Sequence, residues 1–323
     1  MKRILTFLLA MTLLFTASCG GSAGQDDGTI DNETTADTTA PEIVMQEPDA
    51  DGMLHFGERL VKAQDTLDED SVSRFSAKLT SLREKYFPEN DVYYAIVPEQ
   101  AWYWREQTTH YIDHDRVSGL LAEPLEGWTA VDLASCLTAE DYYATDAHWR
   151  QECLLPAVEA LGEAMGFAID GDAFTKQSAE GFIGGYRAYL SDAGSLEAET
   201  LYWLESSFTQ NAVVDNFQDG AVTTVYDPSK LESESPYDFF LSGATPLTVI
   251  ENPDAASDRE LVIFRDSYAS SLAPLLLEAY SKVTLVDLRY MVSSLLPRYV
   301  DFGDADVLFL YSTAIVNNSM LLK

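Results

Sequence analysis

The chain has 323 residues, of which 46% are apolar, and a formal net charge of −33 at pH 7. Its length and apolar content suffice for one large domain or two small ones with a sizeable core. The charge argues against nucleic acid and anionic lipid as partners, because both select Lys and Arg patches, and it implies a solvated acidic surface.

Lys2 and Arg3 precede an uncharged apolar run over residues 4–15 that is too short to span a bilayer, so residues 1–18 read as a signal peptide. The next residues, Thr16-Ala17-Ser18-Cys19-Gly20, resemble the bacterial lipobox, with Thr16 where Leu is usual. That resemblance implies lipidation of Cys19 and a protein held on the extracytoplasmic face of the cell membrane. Residues 19–52 have no Lys or Arg, many Gly, Thr, Asp and Glu, and no hydrophobic period, which predicts a disordered acidic tether. The folded domain is then 53–323. Its two cysteines, Cys136 and Cys153, either form one disulfide, as an exported chain permits, or stay as buried thiols.

Within the domain, Val72, Phe75, Leu79, Leu82 and Tyr86 recur every three or four residues, predicting a helix stopped by Pro88. The continuous apolar run 92–97 predicts a buried strand closed by Pro98, and 131–133 a short second one. A helix follows His148 as far as Met165, bent or restarted at Pro156. Residues 166–254 carry only short apolar runs, such as 221–226, and predict irregular β structure. From there strands at 261–264, 283–288 and 307–311 alternate with helices at 272–280 and 291–299, which implies a mainly parallel sheet covered on both faces.

Chemistry concentrates in a few residues. Ser267 follows the strand at 261–264 through Arg265-Asp266 and precedes a helix, and in open α/β sheets ligands bind beyond the carboxyl ends of the strands. Serine is also a common helix cap, so Ser267 needs a base to be read as a nucleophile. Of four histidines, His55 adjoins the tether; His110 and His114 are spaced to share a helix face but lack a third metal ligand, so they read as a solvated polar segment and no metal is expected. His148 lies two residues after Asp146, a spacing that on an extended segment puts carboxylate and imidazole on one side.

The segment 143–149, with 261–289, resembles the DHHW family of exported bacterial proteins, and the likeness extends over most of 92–323. That family is similar to the SGNH-like domain of alginate O-acetyltransferases. The resemblance implies an α/β, SGNH hydrolase-like (flavodoxin-like) three-layer sandwich with a mainly parallel sheet and an irregular insertion. It also implies a triad of Ser267 as nucleophile, His148 as base and Asp146 as acid, with no cofactor. One departure is Ala147, where the family motif has a second His. Further candidates are the backbone N–H groups of Ser267 and Tyr268 as oxyanion donors, with Gly184, Gly185 or Asn318 adding another donor, Arg265 and Tyr268 as substrate contacts, and Tyr142, Tyr143 and Trp149 as sugar-stacking rings; each also has a structural reading as turn, cap or core residue.

These features predict an extracellular carbohydrate O-acetyltransferase or acetylesterase acting on polysaccharide or cell-wall glycan. A membrane O-acyltransferase would supply acetyl groups, since a surface protein lacks cytoplasmic acetyl-coenzyme A. The competing reading is a non-catalytic glycan-binding or envelope-assembly lipoprotein on the same scaffold, which a large Ser267–His148 separation would favour.

Overall fold

A computed structural model describes residues 44–64, 66–192, 194, 196–217 and 221–323. The signal peptide, Cys19 and residues 19–43 of the expected tether lie outside these. The end of that tether belongs to the fold: Gln46 N–H donates to Gln107 O, and Asp49 Oδ1 accepts the N–H groups of Asp51 and Met53.

The helical period is realised in Glu69–Tyr86, which buries Val72, Phe75, Leu79 and Leu82. Asp68 caps it by accepting from Ser71 N–H at 3.1 Å. Twelve strands occur among the described residues: β1 (Met53–Phe56), β2 (Arg59–Lys62), β3 (Val92–Val97), β4 (Thr129–Ala130), β5 (Thr175–Phe182), β6 (Glu199–Glu205), β7 (Val213–Asn216), β8 (Ala221–Thr223), β9 (Leu247–Glu251), β10 (Glu260–Arg265), β11 (Lys282–Val286) and β12 (Asp306–Ser312). Eight of them form one sheet in the order β4-β3-β12-β10-β11-β9-β7-β8. The pairs from β4 to β11 are parallel and those from β11 to β8 antiparallel, so the fold is α/β with a large, mostly parallel sheet, as expected.

Every residue of β3 is buried, and the alternation of its side chains shows why the run is continuous. Tyr93, Ala95 and Val97 join the core that contains Ala157, Val158 and Leu161 of helix Leu155–Met165. Val92, Tyr94 and Ile96 face the opposite core, with Phe75 and Leu79 of the first helix and Val117 and Leu121 of helix His114–Ala122. Two apolar layers therefore enclose the sheet, and the carboxyl ends of β3, β10, β11 and β12 share one rim.

Several local expectations shift. The second strand is β4, two residues earlier than 131–133, and Val131 N–H still donates to Tyr94 O. Pro156 sits in the first turn of Leu155–Met165 and starts that helix after a 3₁₀ turn at Gln151–Cys153. The helix expected at 272–280 is a four-residue turn, Ala269–Leu272, followed by 3₁₀ at Ala273–Leu276. Pro274, which has no N–H to continue the α-helical ladder, lies at that transition. At 291–299 a 3₁₀ turn and a four-residue helix, Leu296–Tyr299, replace the longer helix. The middle of the chain is more regular than it reads: β7, β8 and β9 extend the main sheet, and β5 and β6 pair as a separate antiparallel ribbon with a bulge at Gly181, whose φ of 89° suits glycine. Cys136 and Cys153 are both free, in two different 3₁₀ turns, and Cys136 Sγ faces Asp132 O rather than a second sulfur. Among the described residues no helix is long and apolar enough to cross a membrane.

Candidate active site

The nucleophile candidate is set by the turn after β10. Asp266, 1% exposed, accepts Tyr268 N–H on Oδ1 at 3.1 Å and Ser312 N–H on Oδ2 at 2.7 Å, tying the turn to the end of β12. Ser267 stands between these anchors, half-buried.

The candidate base and acid, His148 and Asp146, come from a loop closed by an antiparallel bridge between Tyr142 and Trp149 and by Tyr143 N–H donating to His148 O. The loop is bent rather than extended. Asp146 Oδ1 accepts both the backbone N–H of His148, at 3.0 Å, and its ring Nδ1–H, at 2.5 Å, so an Asx-type turn brings carboxylate to imidazole. His148 Nε2 then lies 2.7 Å from Ser267 Oγ, completing a continuous Ser267–His148–Asp146 relay across 119 residues of sequence. With Nδ1 donating to Asp146, Nε2 presents its lone pair to the serine hydroxyl.

Asp146 is 4% exposed. Burial pushes its carboxyl up, but the charge and hydrogen bonds of His148 and the N–H of Gly185 outweigh that and hold it below the ordinary range. Gly185 N–H donates to Asp146 Oδ2 at 2.6 Å, and Gly184 N–H to Thr145 Oγ1 at 2.9 Å. A Cβ at Gly184 would overlap Asp146 Cβ, so the backbone approaches the acid as only glycine allows. Glu199 on β6 accepts the N–H groups of Ala144 and Thr145 and the Thr145 hydroxyl.

The supporting candidates fare differently from the triad. Gly184 N–H is given to the Thr145 hydroxyl, Gly185 N–H to Asp146 and Tyr268 N–H to Asp266, so none of the three is free for an oxyanion. Asn318 is exposed and donates its N–H to Ile315 O. Among the candidate backbone donors this leaves the N–H of Ser267 itself. Arg265 is fully buried and points inward, with Nη1 donating to Ser270 Oγ, while Nε and Nη2 have no hydrogen-bond partner among the described residues; it braces the turn and is closed off from the surface. Tyr142, Tyr143 and Trp149 are fully buried core residues, because the closed loop turns their rings inward, and Trp149 Nε1–H donates to Tyr268 O and Ser271 Oγ. The Tyr268 hydroxyl donates to Ala147 O at 2.7 Å, so the residue that departs from the family motif contributes through its backbone.

Two neighbours escaped the sequence reading. Tyr237 stacks on His148, and Glu99, just past β3, is buried behind the site. A carboxylate directly after the buried strand and Pro98 was a usable sign for Glu99; nothing local marks Tyr237. His114 also differs from a solvated residue: it is buried and its Nε2 bonds Ile96 O. Among the described residues there is no cluster of three or more His, Cys, Asp or Glu placed to hold a metal.

The family model described as DHHW protein matches residues 133–286, which include both triad segments. A DHHW family protein from Eubacterium siraeum is similar in structure, with a TM-score of 0.68 at 19% identity over 85% of this chain and 97% of that one. Bacillus cereus PatB1 with a sulfonyl adduct has a TM-score of 0.67 at 17% identity over 86% and 99%. The O-acetyltransferase domain of Pseudomonas putida AlgJ has a TM-score of 0.48 at 13% identity over 84% and 92%. No curated protein matches the sequence.

Proposed function

Starting from a chain whose residues 133–286 match the DHHW family, we propose a serine-dependent carbohydrate O-acyl enzyme that transfers or hydrolyses acetyl esters on polysaccharide or cell-wall glycan. The observation that carries this reading is the 2.7 Å contact between Ser267 Oγ and His148 Nε2, with Asp146 on the other ring nitrogen. A non-catalytic scaffold would not need all three groups aligned, so the enzyme reading is favoured over a binding or assembly role.

In the proposed reaction, Ser267 Oγ bonds to the ester carbonyl carbon while its proton passes to His148 Nε2. The carbonyl oxygen takes the negative charge, facing the Ser267 N–H. The tetrahedral species collapses as its C–O bond breaks and His148 gives the proton to the departing alcohol. An acetyl group then rests on Ser267; a sugar hydroxyl or water, deprotonated by His148, bonds to its carbonyl carbon, and His148 returns the proton to Ser267 Oγ as the acyl–Oγ bond breaks. Asp146 keeps the imidazole in the required tautomer and stabilises its cationic form.

The same proposal puts the protein on the extracytoplasmic face of the cell membrane through lipid on Cys19, with the segment after Cys19 long enough for the domain to reach glycan and an acetyl-passing membrane O-acyltransferase. The absence of Lys and Arg between Cys19 and Glu42 supports a solvated spacer. Labelled lipid that fails to attach to Cys19 would remove the anchor and leave the chemistry untouched.

The enzymatic test is hydrolysis of p-nitrophenyl acetate and of an O-acetylated glycan. Ser267→Ala and His148→Ala should each lose about 10⁴-fold or more in kcat, and Asp146→Asn on the order of a thousandfold. A sulfonyl fluoride should label the wild type at Ser267. Equal activity in wild type, Ser267→Ala and His148→Ala rejects the proposal.

A further inference from the structure

We infer that Tyr237 is a positioning residue for the base, its ring lying face to face on the His148 imidazole so as to fix the plane of that ring and favour its cationic form. This rests on the relay proposed above. The two ring centroids are 3.9 Å apart with an interplanar angle of 8°.

The geometry explains why a stacked partner is needed. Two in-plane hydrogen bonds, from Nδ1 to Asp146 and between Nε2 and Ser267, leave the imidazole free to rock about the line joining its nitrogens. A parallel ring against one face blocks that motion. Tyr268 touches the imidazole at 4.9 Å with a 53° tilt, too inclined to define a plane.

Tyr237 is itself held. It is 6% exposed, and its hydroxyl and Ser271 Oγ share a 2.7 Å hydrogen bond. Ser271 Oγ also accepts Trp149 Nε1–H at 2.9 Å. Trp149 follows His148 in the chain and Ser271 lies four residues after Ser267, so one serine hydroxyl couples the stacking ring, the base segment and the nucleophile segment. From the other side, Leu241 and Ser242 both adopt φ near +57°, followed by Gly243, forming a sharp turn just after the Tyr237 segment.

The electronic part follows from ring chemistry. When Ser267 gives its proton to Nε2, the imidazole becomes a cation in contact with the electron-rich face of a phenol, an attraction the neutral ring lacks. The charged and titratable groups around His148 are Asp146 in its own loop, Glu99 after β3, Asp238 beside Tyr237, and the phenols Tyr237 and Tyr268. Replacing Tyr237 leaves the three carboxyl groups in place, so a change in the titration of His148 reports on the ring.

The experiment compares Tyr237→Leu, Tyr237→Phe and Ser271→Ala with the full-length wild type. Proton affinity at His148 is read by NMR of the imidazole nitrogens, and kcat and KM with p-nitrophenyl acetate. In Tyr237→Leu, proton affinity should fall about three- to tenfold and kcat about ten- to a hundredfold, with KM changing less. Tyr237→Phe keeps the ring and should recover most of the lost rate and the affinity. Ser271→Ala keeps both rings but frees the anchor, and should lower kcat several-fold; it also serves if Tyr237→Leu does not fold. Wild-type His148 titration and kcat in folded Tyr237→Leu, or in Ser271→Ala where Leu is not tolerated, overturns the inference. Activity in Ser267→Ala would instead overturn the proposed reaction and leave the NMR result standing.

Discussion

Glu99 shows how one residue behind the site sets a pH dependence for the whole fold. Burial is the main reason its carboxyl is pushed up to about 7, and Asp266 adds to it; His148 and hydrogen bonds from Ser312 and Ala314 pull the other way. An unfolded glutamate titrates near 4.5, so between there and about 7 the folded chain holds a proton that the unfolded chain has lost. The stability Glu99 contributes is therefore complete below about 4.5 and disappears as pH rises through about 7. Glu99→Gln removes the titration while keeping a neutral group of the same shape. In urea unfolding at pH 5 and pH 8, the wild type should lose more stability than Glu99→Gln over that interval, by up to about 3 kcal/mol. Parallel pH dependences in the two proteins would show that Glu99 is not the group. Asp146 behaves oppositely: its lowered carboxyl stabilises above the ordinary aspartate range and ceases to do so on acidification, below the window in which Glu99 acts.

At the scale of elements, the ribbon β5–β6 and the Gly184-Gly185 turn beside it act as a clamp on the acid loop. Glu199 accepts three hydrogen bonds from Ala144 and Thr145, and Gly185 donates to Asp146. Gly184→Ala introduces a methyl into the space of Asp146 Cβ, which the loop resolves only by moving the carboxylate off Nδ1. The expected result is a fall of about ten- to a hundredfold in kcat, the loss a displacement on the order of 1 Å produces, with a lower melting temperature. Wild-type kcat in Gly184→Ala would mean that the clamp does not set the position of the acid. The runs at 92–97, 261–264, 283–288 and 307–311 were legible as strands because the sheet is buried on both faces, and Glu69–Tyr86 because only one stripe of it is buried. The strands at 166–254 were not, since β5 is largely exposed and β7 alternates exposed with buried over only four residues. Ser267, His148 and Asp146 could be nominated because two lie in one short motif and the third at a strand end. Their clamps could not: Glu199 meets Ala144 across 55 residues, and no local spacing encodes the Tyr237 stack.

For the whole molecule, the decisive quantity is the imbalance of 53 acidic against 20 Lys and Arg residues. Among the described residues, seven ion pairs join Lys or Arg to a carboxylate, and two of these, Arg74–Asp68 and Arg116–Glu69, are exposed at both ends. Exposed pairs contribute on the order of 0 to 1 kcal/mol each, and salt weakens them. The carboxylates outnumber their partners and repel one another, and salt weakens that repulsion as well, over distances that shrink from about 10 Å at 0.1 M to about 3 Å at 1 M. Attraction confined to a few contacts and repulsion spread over the surface respond with opposite sign, and the excess of acids makes the second larger. The buried core, including Phe264 and Phe309 between the helices and the sheet, is unaffected by screening at these concentrations. The melting temperature should therefore rise as NaCl increases from about 20 mM to about 500 mM at pH 7, and the rise should shrink at pH 4, where part of the carboxylate charge is neutralised. Chloride and nitrate salts should act alike if screening is the cause. A melting temperature that falls with salt at pH 7 would show that the paired contacts, rather than the unpaired acidic surface, govern the electrostatics of this fold.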